Sequence, residues 1–205
     1  DQMEGSKLYT FFKNGNIDSI RIEGMAKSLY HVFEDSIYQG KNDASGDTIA
    51  ISFLNNELDL INIIGGSEGK YTPDSSSNEI NEPVNYKANK IKYHINDYKS
   101  DLQGNVILKH DHTNLEAGFV NINWKTNMLD ALPILEGDTL SDPILPVIKE
   151  QGRDPMTGNE MIYNLKTRKG RITQGKTKAD DGHYKGNRIR NESRKVFFIE
   201  NSTYT

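Results

Sequence analysis

The sequence predicts an all-β chain of stacked antiparallel hairpins, on three observations. A strand signature recurs four times: Ile49-Ala-Ile51-Ser-Phe53, Ile91-Lys-Tyr93-His-Ile95, Val120-Asn-Ile122-Asn-Trp124 and Met161-Ile-Tyr163-Asn-Leu165. Apolar residues sit two apart, with Ser52, Lys92, Asn121, Asn123 and Asn164 among those between them, which is the period of a strand with one dry face and one wet face. Short polar stretches separate the strands at Asn14-Gly15, Asn55-Asn56, Lys125-Thr-Asn127 and Lys169-Gly170, the residue types that tight reversals require. Only 35% of the 205 residues are apolar, too few for a thick core but enough for many strands that each bury one face.

The copies are of two kinds that alternate. Phe53 and Trp124 each precede a Leu-Asp pair by five residues (Leu58-Asp59, Leu129-Asp130), at an offset of 124 − 53 = 71. Tyr93 and Tyr163 are each followed nine residues later by Leu102 or Ile172, at an offset of 163 − 93 = 70. The expected super-period is therefore about seventy residues, made of two hairpins. Upstream, Ile17-Asp-Ser-Ile20-Arg-Ile22-Glu-Gly24 lines up with Leu58-Asp-Leu-Ile61-Asn-Ile63-Ile-Gly65, and Tyr30 with Tyr71, which places a further copy before residue 30.

Two segments interrupt the pattern. The polar stretch at Pro73-Asp-Ser-Ser-Ser-Asn-Glu, closed by Pro83, reads as a surface loop. Four of the six prolines lie between Pro133 and Pro155, where Pro143-Ile-Leu-Pro146-Val supplies at best an edge strand or an extended crossover. The expected organisation is repeats over 1–132, a Pro-rich excursion over 133–157, and a continuation of the same structure over 158–205. No run of eighteen apolar residues offers a membrane-spanning helix, and the first residues carry no signal peptide. The opening Asp1-Gln-Met-Glu and a close within a strand at Thr205 read as a piece of a longer protein. The absence of cysteine excludes disulfides and thiolate zinc sites.

Charge is uneven. From Lys166 to Lys195, eleven Lys and Arg stand against Asp180, Asp181 and Glu192, a balance of 11 − 3 = +8 in a chain of net charge −4. Such a block attracts phosphates or membrane surfaces, or is simply the wet face of amphipathic strands. Catalytic chemistry is sparse. His110-Asp111-His112 on a strand would put both imidazoles on one face, a metal-site spacing without a third ligand. Asp180-Asp181-Gly182-His183 is above all a turn sequence, and Gly65-Gly66-Ser-Glu-Gly69 lacks the strand-to-helix context of a phosphate loop. No nucleophile has a plausible base, so no enzyme activity, catalytic residue, metal or cofactor is expected. The aromatics Phe53, Tyr93, Trp124 and Tyr163 admit two readings: large core residues worth about 1.5–3 kcal/mol each when buried, or, if the sheets splay, the wall of a hydrophobic trough.

The stretch Gly158-Asn-Glu-Met-Ile-Tyr163-Asn-Leu-Lys-Thr-Arg-Lys-Gly170-Arg-Ile172, with Asp181-Gly-His-Tyr184-Lys-Gly186 and Val196-Phe-Phe-Ile-Glu-Asn-Ser-Thr-Tyr204-Thr205, resembles the N-terminal periplasmic region of the LptD family of outer-membrane lipopolysaccharide-assembly proteins. Ala44-Ser-Gly-Asp-Thr-Ile49, Ile64-Gly65-Gly66-Ser-Glu-Gly69-Lys-Tyr71 and Tyr86-Lys-Ala88-Asn-Lys-Ile91-Lys-Tyr93 resemble the repeats of the wider OstA-like, lipopolysaccharide-transport group. The resemblance implies an antiparallel β-jellyroll, open and V-shaped, in the periplasm and associated with the outer membrane. Its groove would hold the acyl chains of lipid A against Ile49, Ile51, Phe53, Ile91, Tyr93, Ile95, Val120, Ile122, Trp124, Met161, Tyr163 and Leu165. The implied partners are lipopolysaccharide or a related glycolipid, and other jellyrolls joined edge to edge through backbone hydrogen bonds. The lipid's phosphates would stay outside the groove, near the Lys166 to Lys195 block. No nucleic-acid partner is expected, and membrane contact would come only through parts outside these residues. The alternative from another class is a non-enzymatic glycan-binding or scaffold module of the cell envelope, with the aromatics closed into a core.

Overall fold

A computed structural model describes residues 1–34, 36–75, 80–133, 144–179, 182–193 and 196–205. The strands are β1 (Gln2–Glu4), β2 (Lys7–Lys13), β3 (Asn16–Glu34), β4 (Ile37–Leu54), β5 (Glu57–Pro73), β6 (Val84–His94), β7 (Lys99–His110) and β8 (Thr113–Asn123). They continue as β9 (Met128–Leu132), β10 (Val147–Glu150), β11 (Met156–Thr157), β12 (Glu160–Asn164), β13 (Gly170–Ala179), β14 (Gly182–Ser193), β15 (Val196–Glu200) and β16 (Thr203–Tyr204). All pairings are antiparallel and join one continuous ladder.

The long strands do not run straight. Pairing breaks between Glu23 and Ala26 in β3, Ile64 and Ser67 in β5, and Gln103 and Val106 in β7. At each break two residues turn left-handed: Gly24 and Met25 (φ 79° and 51°), Gly65 and Gly66 (81° and 55°), Gly104 and Asn105 (78° and 48°). A bulge of this kind bends the strand sharply, so each strand serves one leaf before the crease and the other after it. The first leaf holds β2, residues 16–24, 47–54, 57–65, 90–94, 99–103 and 119–123, then β9, β12, 170–173, 188–191 and β15. The second holds β1, residues 26–34, 37–46, 67–73, 84–88, 106–110 and 113–117, then β10, β11, 175–179, 182–186 and β16. The two leaves form a V whose vertex is the crease and whose lips are the hairpin turns.

The vertex depends on close approach. A Cβ on Gly46 would stand 2.5 Å from Ile63 Cγ2, in a row where Ile63 is fully buried. The first leaf is held by one cross-strand row near the crease: Leu8, Ile22, Ile49, Ile63, Ile91, Leu102, Val120, Ala131, Met161, Ile172, Ile189 and Ile199, each directly opposite the next. From Ile22 to Ile189 its members are buried, and each full-sized side chain contributes roughly 1.5–3 kcal/mol. The facing row of the second leaf runs Ala44, Gly69, Tyr86, Leu108, Leu115, Ile148 and Met156. Gly69 is required there because the Tyr86 ring lies across it.

Two expectations are corrected and the repeat is resolved into its parts. The repeat is a hairpin of about forty residues: first-lip turns fall at Asn14 and Asn55 (55 − 14 = 41) and at Asn127 and Arg168 (168 − 127 = 41). The seventy-residue offset adds one such hairpin to a shorter one, since strand length falls from 19 residues in β3 to 11 in β8. β10 is no edge strand; it lies between β8 and β11, with Pro146 just before it. His110, Asp111 and His112 do not share a strand face: Asp111 (φ 52°) and His112 form a two-residue turn between His110 and Thr113. His110 is buried while the His112 side chain is exposed, and no cluster of three metal-ligating groups occurs among the described residues. The Asp180-Asp181 turn and residues 134–143 of the Pro-rich excursion lie outside the described residues.

Gly46→Ala is expected to lower unfolding free energy by about 1–3 kcal/mol, because a buried branched side chain must move. Gly66→Asn, at a left-handed position with nothing within 4 Å of a new Cβ, should change it by no more than about 0.5 kcal/mol. Urea unfolding of both variants measures the contrast.

Candidate groove between the leaves

The twelve sequence-derived groove residues fall into three parallel tiers of the first leaf. Ile49, Ile91, Val120 and Met161 lie in the row next to the crease. Ile51, Tyr93, Ile122 and Tyr163 lie in the next row, where Ile51 opposes Ile61, Ile61 opposes Tyr93, and Ile122 and Tyr163 both oppose Leu129. Phe53, Ile95, Trp124 and Leu165 form the lip. Backbone bonds stitch that lip together: Ile95 N–H donates to Asp59 O (3.0 Å), Trp124 to Tyr98 O (2.9 Å) and Leu165 to Asn127 O (2.8 Å). The first two tiers are buried, whereas Phe53, Ile95 and Trp124 are half-buried.

The leaves stand apart at the amino-terminal lip. Arms of about nine residues in β3 reach roughly 30 Å from the crease, against about 17 Å for the five-residue arms of β7. Between the long arms lies a small cavity of about 90 Å³. Its walls are Tyr30, Val32 and Phe33 from the second leaf, Ile61, Ile95 and Trp124 from the first, and Ile80 from the β5–β6 connection. Its floor is polar. Tyr86 donates to Asn42 Oδ1 (2.6 Å), the Tyr86 and Tyr93 hydroxyls are 3.1 Å apart, and Trp124 Nε1 donates to Ser100 Oγ (2.7 Å).

Further along, the lips are clasped. The Trp124 ring of the first lip packs at 5.0 Å on Tyr71 of the second and at 6.3 Å from Tyr86. Arg168, in a first-lip turn, pairs with Asp111, in a second-lip turn, at 2.7 Å. Beneath this pair His110 is 2% exposed, with no partner for Nδ1 among the described residues; desolvation, and then the Arg168 charge, push its pKa down. Burial pushes the Tyr163 hydroxyl up, while a hydrogen bond with Thr113 across the gap works against that shift. The inner faces of the carboxy-terminal half, such as Leu115, Ile148, Met161 and Ile172, close on one another as a core.

The second-leaf wall escaped the sequence reading, because its inward row mixes Ser28, Ala44 and Gly69 with large residues and shows no clean apolar alternation. A fifth copy of the signature was present at Leu8-Tyr-Thr10-Phe-Phe12, followed by Asn14-Gly15 as Phe53 is followed by Asn55-Asn56. Leu8 and Thr10 extend the first and second tiers. The basic block divides: Lys166, Arg168 and Lys169 lie at or beside the lip turn, Arg171 and Arg190 on the outer face of the first leaf, and Lys176, Lys178 and Lys185 on the outer face of the second.

This geometry has a solved counterpart. LptH of Pseudomonas aeruginosa, described as the LptA-homologous periplasmic component of the lipopolysaccharide transport device, matches with a TM-score of 0.56 at 10% identity, over 73% of this chain and 94% of its own. The fold is an Lpt-type β-jellyroll. No protein-family model and no curated protein sequence matches the chain, so the likeness resides in the jellyroll architecture and not in sequence.

Burial holds the floor tyrosines neutral. Desolvation raises the Tyr93 pKa to about 12 and pushes Tyr86 well above its ordinary value, whereas an unfolded tyrosine titrates near 10. The native jellyroll therefore keeps a proton that the unfolded chain loses. The Tyr93 contribution is complete below about pH 10 and disappears as pH rises to about 12, a loss of roughly 2–3 kcal/mol. Unfolding free energies across that window should fall less steeply for Tyr93→Phe than for the parent.

Proposed function

We propose that this jellyroll is a non-catalytic periplasmic module that holds the acyl chains of lipopolysaccharide, or of a related glycolipid, between its leaves and passes them towards the outer membrane. The observation that carries this reading is the in-register apolar ladder. One inward row extends from Leu8 to Ile199 without a charged residue; it is buried from Ile22 to Ile189, so an acyl chain meets it only where the leaves part, and each rung then offers nearly the same surface. A chain shifting by one rung exchanges like contacts for like contacts, and such movement needs no covalent step.

The long-armed half is the entry. Its mouth is lined by half-buried or exposed side chains, among them Val32, Ile95 and Phe33, the last 51% exposed. The clasps at Trp124–Tyr71 and Arg168–Asp111 mark where the groove must widen for a chain to advance. Transfer between modules uses the ends of the ladder. Among the described residues β1 and β2 pair only with β3, and β15 and β16 only with β14, which leaves a strand edge on each leaf at both ends for another jellyroll to extend. Leu8 (59% exposed) and Phe12 (67%) on β2 would then be covered by the neighbour's rows. The likeness to LptH supports a place in the periplasmic bridge.

Site-specific photo-crosslinking in cells tests the reading. A photoreactive residue at Val32 or Ile95 is expected to capture lipopolysaccharide, and one at Lys92, on the outer face of the first leaf, is not. Capture at Lys92 with none at Val32 and Ile95 would contradict it.

A further inference from the structure

We propose that the outer face of the second leaf, across β11, β13, β14 and β16, binds a phosphorylated saccharide. This face breaks its own pattern of charge pairing. Over its amino-terminal part, lysines stand beside acids: Lys27 opposes Glu4 (3.9 Å), Lys87 opposes and pairs with Glu68, Lys41 lies 3.6 Å from Asp43, and Lys149 lies 2.8 Å from Glu116. Complementary pairs of this kind are the ordinary way a sheet surface is stabilised, and like charges directly opposite destabilise it.

On β13 and β14 the pattern reverses. Lys176 lies directly opposite Lys185, and Lys178 directly opposite His183. All four are exposed, and none makes an ion pair with an acid among the described residues. The flanking positions complete a row: Thr157 opposes Lys176 and Thr203 opposes Lys185, giving Thr-Lys-Lys-Thr across four strands. These residues line a depression of about 470 Å³, within the range of small-molecule sites.

Two ammonium groups held side by side are a matched receptor for one phosphate, whose oxygens accept charge-assisted hydrogen bonds from both. Threonine hydroxyls on either side supply the donors and acceptors that sugar hydroxyls use. The depression suits a ring-sized ligand better than a flat bilayer. This site does not depend on what occupies the groove, because it lies on the opposite face of the leaf.

Amide chemical-shift titration of the whole chain at low salt tests the proposal, with glucose 1-phosphate, inorganic phosphate and glucose as probes. Glucose 1-phosphate is expected to shift amides of β13 and β14 saturably, inorganic phosphate to act more weakly at the same amides, and glucose to have no effect. Lys176→Gln/Lys185→Gln should weaken glucose 1-phosphate by at least about tenfold, whereas Lys41→Gln/Lys87→Gln, which removes the same charge from the same face, should not. A fourth arm with lipid A liposomes distinguishes the source: perturbation of the same amides assigns the saccharide to a glycolipid headgroup, and its absence alongside glucose 1-phosphate binding assigns it to a free sugar phosphate. Shifts spread over all surface lysines, or unchanged in Lys176→Gln/Lys185→Gln, would overturn the site.

Discussion

The structure depends on the mid-strand crease. A single antiparallel ladder can bury only one face against something else, and this chain supplies that partner from the other half of the same strands. Left-handed pairs at Gly24-Met25, Gly65-Gly66 and Gly104-Asn105 fold the ladder along a line, so each rung faces its own continuation. Two results follow from this one device. Apolar rows on the two leaves are brought face to face near the vertex, and the hairpin turns are all carried to the opposite side, where they form lips instead of a second closed edge.

The crease also explains why the groove is open at one end and shut at the other. Arm length is set by where the bulge falls in the strand, and β3, β4 and β5, at 19, 18 and 17 residues, carry their lips well beyond the buried rows. Shorter strands downstream keep their lips within reach of one another, so Arg168 meets Asp111, while Trp124, at the end of the short β8, reaches back to Tyr71 on the long β5. The aromatic tier is therefore both core and wall. Tyr93 and Tyr163 are packed and hydrogen-bonded or poised to be so, while Phe53, Ile95 and Trp124 border the open mouth. A polar floor of Asn42, Tyr86, Tyr93 and Ser100 fixes the register of one leaf against the other, since each group satisfies another that would be costly to leave buried alone.

Much of the first leaf was legible in the sequence. Its inward residues alternate strictly, and Ile49, Ile91, Val120 and Met161 prove to be members of a single row. The second leaf was not, because its inward positions include Gly69, whose missing side chain is the space that Tyr86 fills, and such complementarity exists only between strands. Glycine pairs were visible at Gly65-Gly66, yet a two-residue left-handed bend inside a strand has no local signature that separates it from a turn. For the Lys166 to Lys195 block both readings stayed open, because sequence proximity hides the alternation of faces and the crease between Thr173 and Gly175.

The central claim is that the amino-terminal half of the groove admits an acyl chain between Trp124 and the second-leaf wall. Trp124 is the single tryptophan of the chain and borders the open mouth, so its fluorescence reports occupancy without any substitution. Titration with a glycolipid brominated along its acyl chains should quench Trp124 saturably, with unbrominated lipid competing and soluble bromide much less effective. Quenching by soluble bromide alone, with none from the brominated chains, would show that the leaves exclude lipid.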